Sequence, residues 1–202
     1  MPIRAVGFDY LGVTAHLSGR SVFELVGERL AIDANRVQEA YGQSNGLLQR
    51  GTITREQLWH QVAVSLDRTN DVEVILAAEA EDQPHVDTKL LDMVDEVRAR
   101  GFKTGLLSNL ATGTPWDAGL HAQGVDRHFD GIVLSGDIGI SKPDIRAYQA
   151  LAVKLDVSLD ELVFIDDRPA SMVGIESAGV IPIVYTGVDS LRGHLRRLKV
   201  IG

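Results

Sequence analysis

The sequence predicts an α/β fold: a three-layer sandwich on a parallel five-stranded sheet, with a helical cap inserted after the first strand. Three observations predict it. Five short apolar runs recur without clean polar alternation, as strands covered on both faces do. From residue 85 onward helical patterns separate those runs, and strand–helix–strand repetition implies crossovers within a parallel sheet. Between about residues 16 and 82 the rhythm breaks into helix signals with no convincing strand.

The five runs are 3–8 (IRAVGF), 103–107 (KTGLL), 131–134 (GIVL), 162–165 (LVFI) and 181–185 (IPIVY). Over 86–100, Val86, Leu90, Met93, Val94 and Val97 form one helical stripe, and Gly101 follows as a stop. Over 144–155, Ile145, Tyr148, Leu151, Ala152 and Leu155 do the same, with Pro143 suited to the first turn. In the early stretch, Ser21-x-x-Glu24 and Thr54-x-x-Gln57 read as capping boxes, and Asp33 as an N-cap before Asn35–Tyr41. Leu47, Leu48, Leu58, Trp59 and Val62 supply apolar faces there. That stretch is too long for an ordinary connection between strands. The expected division is therefore a core of 1–15 and 83–202 and a cap of 16–82 that sits like a lid over the end of strand one.

Composition narrows the function. At 202 residues, 45% hydrophobic and 24% charged, the chain can bury a substantial core. A net charge of −8 argues against a nucleic acid or an anionic membrane as the main partner. Without cysteine, the chain has no disulfide, thiolate nucleophile or Cys-ligated metal, and its six histidines show no metal-ligand spacing. No signal-peptide pattern or membrane-length apolar run is seen, so a cytoplasmic protein, monomer or homodimer, is expected.

Four loops follow the expected strands, and each carries residues of catalytic type: Asp9; Ser108-Asn109; Lys142-Pro143-Asp144; and Asp166-Asp167. In a parallel sheet these loops emerge on one edge, where ligands of such folds bind. Asp9 and Asp167 offer oxygen ligands for a hard cation such as Mg²⁺. A carboxylate can also attack phosphorus to form an aspartyl-phosphate. Ser108, Asn109 and Lys142 would stabilise the phosphoryl oxygens. Each element has a plainer reading: Asp166 and Asp167 suit a helix N-terminus near Pro169, Ser108 or Asn109 a cap, and Lys142 alone a solvated surface.

In this order the segments FDYLGV, LLSN, SKPD and FIDD resemble the four motifs of the haloacid dehalogenase-like hydrolase superfamily, over residues 3 to about 180. The insertion resembles that superfamily's C1 cap. The nearest flavour includes the phosphatase domain of soluble epoxide hydrolase and small sugar-phosphate phosphatases. The resemblance implies a Rossmann-like core and a small phosphorylated substrate. It implies Asp9 as nucleophile and Mg²⁺ ligand, Ser108 and Asn109 as phosphate-binding residues, and Lys142 as the group that neutralises the phosphoryl. Asp167 and, less directly, Asp166 would be metal-side acids. In the lid, Arg50, Arg55, Trp59 and His60 are candidates for substrate contact, although Trp59 keeps phase with Leu58 and Val62 as a core residue would. Tyr10, His16 and Arg168 are candidates beside the motifs.

One position departs from the pattern. Phosphatases of the superfamily carry a second Asp two residues after the nucleophile, which protonates the leaving group and then activates water. Here that residue is Leu11, which keeps the backbone carbonyl for the metal and lacks the carboxyl. Three accounts follow. The chain is a phosphatase whose acid lies elsewhere or whose leaving group needs none. Or it carries out related chemistry, such as dehalogenation, against which the paired acids Asp166-Asp167 argue; a phosphonatase is opposed by the lack of any lysine before Lys89. Or it is a non-catalytic relative that binds a phosphorylated ligand or a protein.

Overall fold

In a computed structural model, residues 2–17 and 19–202 are described; Met1, in the expected core segment, and Ser18, in the expected cap segment, lie outside the described residues. The five apolar runs form strands β1 (Ala5–Phe8), β4 (Lys103–Ser108), β5 (Gly131–Leu134), β6 (Leu162–Asp166) and β7 (Ile181–Val184). They pair in parallel in the order β5-β4-β1-β6-β7. Successive residues of a strand point to opposite faces, and here each face has its own core. Val6, Phe8, Leu106, Val163 and Ile165 face one cluster, while Ala5, Leu107, Leu162 and Phe164 face the other. The first is closed by α5 (Thr88–Ala99), α6 (Pro115–Ala122) and α9 (Val188–Arg197) through Leu90, Met93, Leu120 and Leu191. The second is closed by α8 (Ile145–Leu155) through Tyr148, Leu151 and Leu155. Gly7 allows that helix its close approach: a Cβ there would stand 2.7 Å from the Phe164 ring and 2.9 Å from Leu151.

Strand order reverses at β1, whose neighbours β4 and β6 both follow it across long connections. Such a switch point leaves a crevice beyond the strands' carboxyl ends. Asp9 follows β1, Ser108 ends β4 and Asp166 ends β6, so the topology gathers all three there.

Four helices follow β1: α1 (Val22–Leu30), α2 (Ala34–Gln49), α3 (Arg55–Ser65) and α4 (Val72–Glu81). Both expected capping boxes are present, and the Asp33 side chain accepts from the Asn35 N–H. The helices bury Val26, Tyr41, Leu58, Trp59, Val62 and Ile75 together, a cluster to which the core contributes Ala111. The chain enters this bundle through β2 (Ala15–Leu17) and leaves it through β3 (Pro84–Val86), which pair antiparallel. Near this seat, Asp82 accepts from the Trp116 indole at 2.7 Å and from the Val22 N–H at 3.1 Å.

Two expectations about element ends are corrected. Val86 belongs to β3, and the following helix starts at Thr88 because Asp87 caps it, accepting from the Leu90 N–H. Pro143 lies outside α8, since Asp144 is the N-cap and accepts from the Arg146 N–H. Helix α7 (Ser135–Ile138), α6, α9 and the β2–β3 ribbon were not anticipated.

Candidate active site

The loop after β1 is wound tightly, which fixes Asp9. The Tyr10 carbonyl accepts from the N–H groups of Thr14 and Ala15 at 2.8 and 2.9 Å, and the Thr14 hydroxyl donates to the Asp9 carbonyl at 2.6 Å. Asp9 Oδ1 accepts from the Tyr10 N–H at 2.7 Å and meets Lys142 Nζ at 2.9 Å. The same ammonium donates to Asp166 Oδ2 at 2.5 Å. Lys142 is itself buried, its side chain only 1% exposed. A buried ammonium needs compensation, and two carboxylates supply it. The reading of Lys142 as a solvated surface lysine is thereby overturned.

Asn109 explains how Lys142 is aimed. Its amide nitrogen donates to the Lys142 carbonyl at 3.0 Å, and its amide oxygen accepts from the Lys142 N–H at 2.8 Å. Both ends of the side-chain amide thus hold the lysine loop. Ser108, nearly buried at the end of β4, lines the same cavity as Asp9.

Asp9, Asp166 and Asp167 each bring a carboxylate oxygen within 4.8 Å of the others. Three carboxyls converge there on one buried ammonium, with the Arg168 guanidinium acting on Asp167 from nearby. Burial, and next the charge of Asp9, push the Asp166 and Asp167 carboxyls above their ordinary range. Asp166 has one oxygen on Lys142 and accepts from the Arg168 N–H, at 2.9 Å, with the other. Asp167 differs: its Oδ1 is buried with no hydrogen-bond partner, and no side chain caps the turn that starts at Pro169. The Asp167 carboxyl rests against Gly12, at φ +94°, where a Cβ would come within 2.5 Å of it. An orphaned buried oxygen, a cradle only glycine leaves open and three converging carboxyls fit a divalent cation with hard oxygen ligands.

A cavity of about 220 Å³ opens beside Asp9, smaller than the ~300–1,000 Å³ of most small-molecule sites. Leu11, Ser108, Asn109, Lys142 and Arg168 line it from the core side. The four helices contribute residues absent from the expected set, among them Phe23, Tyr41, Asn45, Leu48 and Glu79, and α6 adds Trp116. Tyr41, Asn45 and Leu48 stand at helical spacing on α2, a stripe that sequence could have flagged only as one face of a helix.

The expected lid contacts lie elsewhere. Trp59 is fully buried among the cap helices, as its phase with Leu58 and Val62 requires. Arg55 is spent on an ion pair with Glu79 and on the Leu76 carbonyl at 3.0 Å. Arg50 ends α2 exposed, and His60 lines a separate surface hollow. Tyr10 points into the core rather than the cavity, and burial pushes its phenol up to about 12. His16 lies on β2, 3.6 Å from Asp87. Of these candidates only Arg168 lines the cavity.

The chain is similar to known proteins in sequence and fold. Residues 3–179 match the model of a family described as haloacid dehalogenase-like hydrolase. A phosphatase of Mycobacterium tuberculosis is 29% identical over 215 residues, spanning 100% of this chain and 96% of its own. Bifunctional epoxide hydrolase 2 of Sus scrofa is 25% identical over 218 residues, spanning 98% of this chain and 39% of its own length. The magnesium complex of the HAD family enzyme bt-2542 from Bacteroides thetaiotaomicron shares the fold, with a TM-score of 0.74 at 19% identity, over 98% of this chain and 100% of that one.

Proposed function

We propose a function from one premise: the chain belongs to the haloacid dehalogenase-like hydrolase family. It is a Mg²⁺-dependent phosphatase that acts on a small phosphorylated metabolite through an aspartyl-phosphate on Asp9. One observation carries the reading: the Asp9 carboxylate opens on the cavity while Lys142, held by Asn109, bonds it at 2.9 Å. A carboxylate so held is oriented for attack on phosphorus, and the ammonium beside it offsets charge on the phosphoryl oxygens.

Asp9, Asp167 and the Leu11 carbonyl are the residues that would hold the cation, with Asp166 beside them as the less direct acid. Mg²⁺, when bound, supplies charge neutralisation for the phosphoryl group. Ser108 and the backbone N–H of Asn109 bind the phosphoryl oxygens, and Lys142 offsets their charge. Phosphatase names among the relatives support this substrate class. Leu11 is the observation that favours the second reading, a binder of phosphorylated ligands without turnover.

Hydrolysis of p-nitrophenyl phosphate separates the two. The expected result is turnover that needs Mg²⁺, stops on chelation and falls at least ~10³-fold in Asp9→Asn, the scale of losing a nucleophile. Turnover that survives Asp9→Asn would exclude the aspartyl-phosphate route. Mg²⁺ binding with no turnover of any phosphate would favour the binder.

A further inference from the structure

The class of ester can be narrowed, resting on the phosphatase reading above. Two independent observations converge on it.

The first concerns protons. The only carboxyls lining the cavity, among the described residues, are those of Asp9 and Glu79. Asp9 is the nucleophile. Glu79 is buried and contacts the Arg55 guanidinium. Burial raises its carboxyl and outweighs the opposing Arg55 guanidinium, to which one of its oxygens is bonded. Lys142 is engaged by two carboxylates, and burial pushes the Tyr41 phenol well above its ordinary value. No histidine lines the cavity among the described residues. Apart from Glu79, which Arg55 holds, no group in the wall readily hands a proton to a departing oxygen.

The second observation is the wall's surface. Leu11, Phe23, Tyr41, Leu48, Leu110 and Trp116 give it a largely apolar and aromatic face. That face is held in place: Phe23 meets Tyr41 edge-on with centroids 5.3 Å apart, and the Trp116 indole is tied to the Asp82 carbonyl. Apart from Lys142 and Arg168, no cation among the described residues lines the cavity to receive a second anionic group.

From these we propose that the site hydrolyses monophosphate esters of neutral phenols, with the aromatic ring against the Phe23–Tyr41 edge and Trp116. A phenol such as tyrosine's ionises near pH ~10, whereas an aliphatic alcohol holds its proton far more firmly, about as water does. Only the former leaves readily without an acid. An Asp9 oxygen attacks phosphorus and the P–O(aryl) bond breaks. Its electron pair departs on the phenolate, which takes a proton from solvent. Water then attacks the phosphorus of phospho-Asp9, restoring the carboxylate and releasing inorganic phosphate, its surplus proton passing to solvent. Edge-to-face aromatic contact adds to the burial of the ring.

The test compares phenyl, cyclohexyl and acetyl phosphates and glucose 6-phosphate, with Mg²⁺, in wild type, Asp9→Asn, Phe23→Leu and Phe23→Ala. Phenyl and cyclohexyl groups match in size and differ in the leaving oxygen; acetyl phosphate leaves easily and has no ring. Expected is a kcat/KM for phenyl phosphate at least ~10²-fold above cyclohexyl phosphate and glucose 6-phosphate, the scale of missing acid assistance. Both Phe23 variants should lose roughly tenfold more on phenyl phosphate than on acetyl phosphate, the worth of a modest apolar contact. Two outcomes, each with activity abolished by Asp9→Asn, overturn the inference alone: cyclohexyl phosphate or glucose 6-phosphate matching phenyl phosphate, or Phe23 variants losing equally on phenyl and acetyl phosphates. Activity surviving Asp9→Asn, or no turnover of all four, overturns the phosphatase reading and this inference with it.

Discussion

At position 11 a leucine lines the cavity beside Asp9. Its backbone remains useful to the loop, whose Gly12 N–H returns to the Ala15 carbonyl at 2.8 Å. What is missing is a carboxyl able to give a proton to a leaving oxygen and to take one from water. Assistance of that kind is worth ~10²–10⁴-fold, or on the order of 3–5 kcal/mol of barrier. Leu11→Asp should therefore raise kcat/KM for alkyl phosphates more than for aryl phosphates. Leu11 is only partly buried, so the new carboxyl has access to water and a modest folding cost. Equal or smaller gains on alkyl phosphates, from a variant that melts like wild type, would contradict the missing-acid account. The same scale separates Asp166 from Asp167. Asp166 is fully buried and both its oxygens are bonded, so it holds Lys142 and its own turn. Asp167 keeps a buried oxygen without a partner, and is the acid with capacity left for a cation.

At the scale of elements, β4 and β6 end on residues of the site, Asp9 directly follows β1, and the turns around them fix side chains. Helix α8 shows how such a turn is held. Asp144 caps it, and hydrogen bonds from the Arg146 side chain and N–H hold the Asp144 carboxyl down at about 2. Its value in the unfolded chain is about 3.9. The depressed carboxyl thus contributes stability that is fully present above pH ~4 and is lost as pH falls through about 2. Asp144→Ala should lower Tm at pH 7, and the gap to wild type should narrow as pH approaches 2; a gap constant with pH would refute the cap's role. The strands of the sheet were legible because each is a short, largely aliphatic run, and the central ones are buried on both faces. The capping boxes at Ser21 and Thr54 were legible because they are local chemistry. The β2–β3 ribbon was not: Ala15–Leu17 and Pro84–Val86 carry little hydrophobic signal, and only their pairing across the cap makes them strands. Asn109 was readable as a member of the site but not in its duty, since nothing local tells that its amide reaches Lys142, 33 residues away. The lid's contribution was misread for a related reason. Arg50 and Arg55 stand out in the sequence as candidates, whereas the cavity is met by Phe23, Tyr41 and Leu48, whose apolar faces look like any helix core.

Across the whole molecule, the parallel sheet brings Asp9, Ser108, Lys142 and Asp166 together from four separate parts of the chain, and the helices between β2 and β3 roof the opening. Among the described residues no helix is long and apolar enough to cross a membrane. The central claim is that a phosphoryl group passes through Asp9. Because Leu11 offers no base to activate water, the second half of the reaction should lag behind the first, and the phosphorylated protein should accumulate with a good leaving group. Rapid acid quench of the Mg²⁺-loaded protein turning over phenyl phosphate, followed by mass mapping, tests this most directly. The account predicts a burst of phenol approaching one equivalent, with a phosphoryl group on the peptide that carries Asp9 and none in Asp9→Asn. Steady turnover with no burst and no phosphoryl group on that peptide would contradict it.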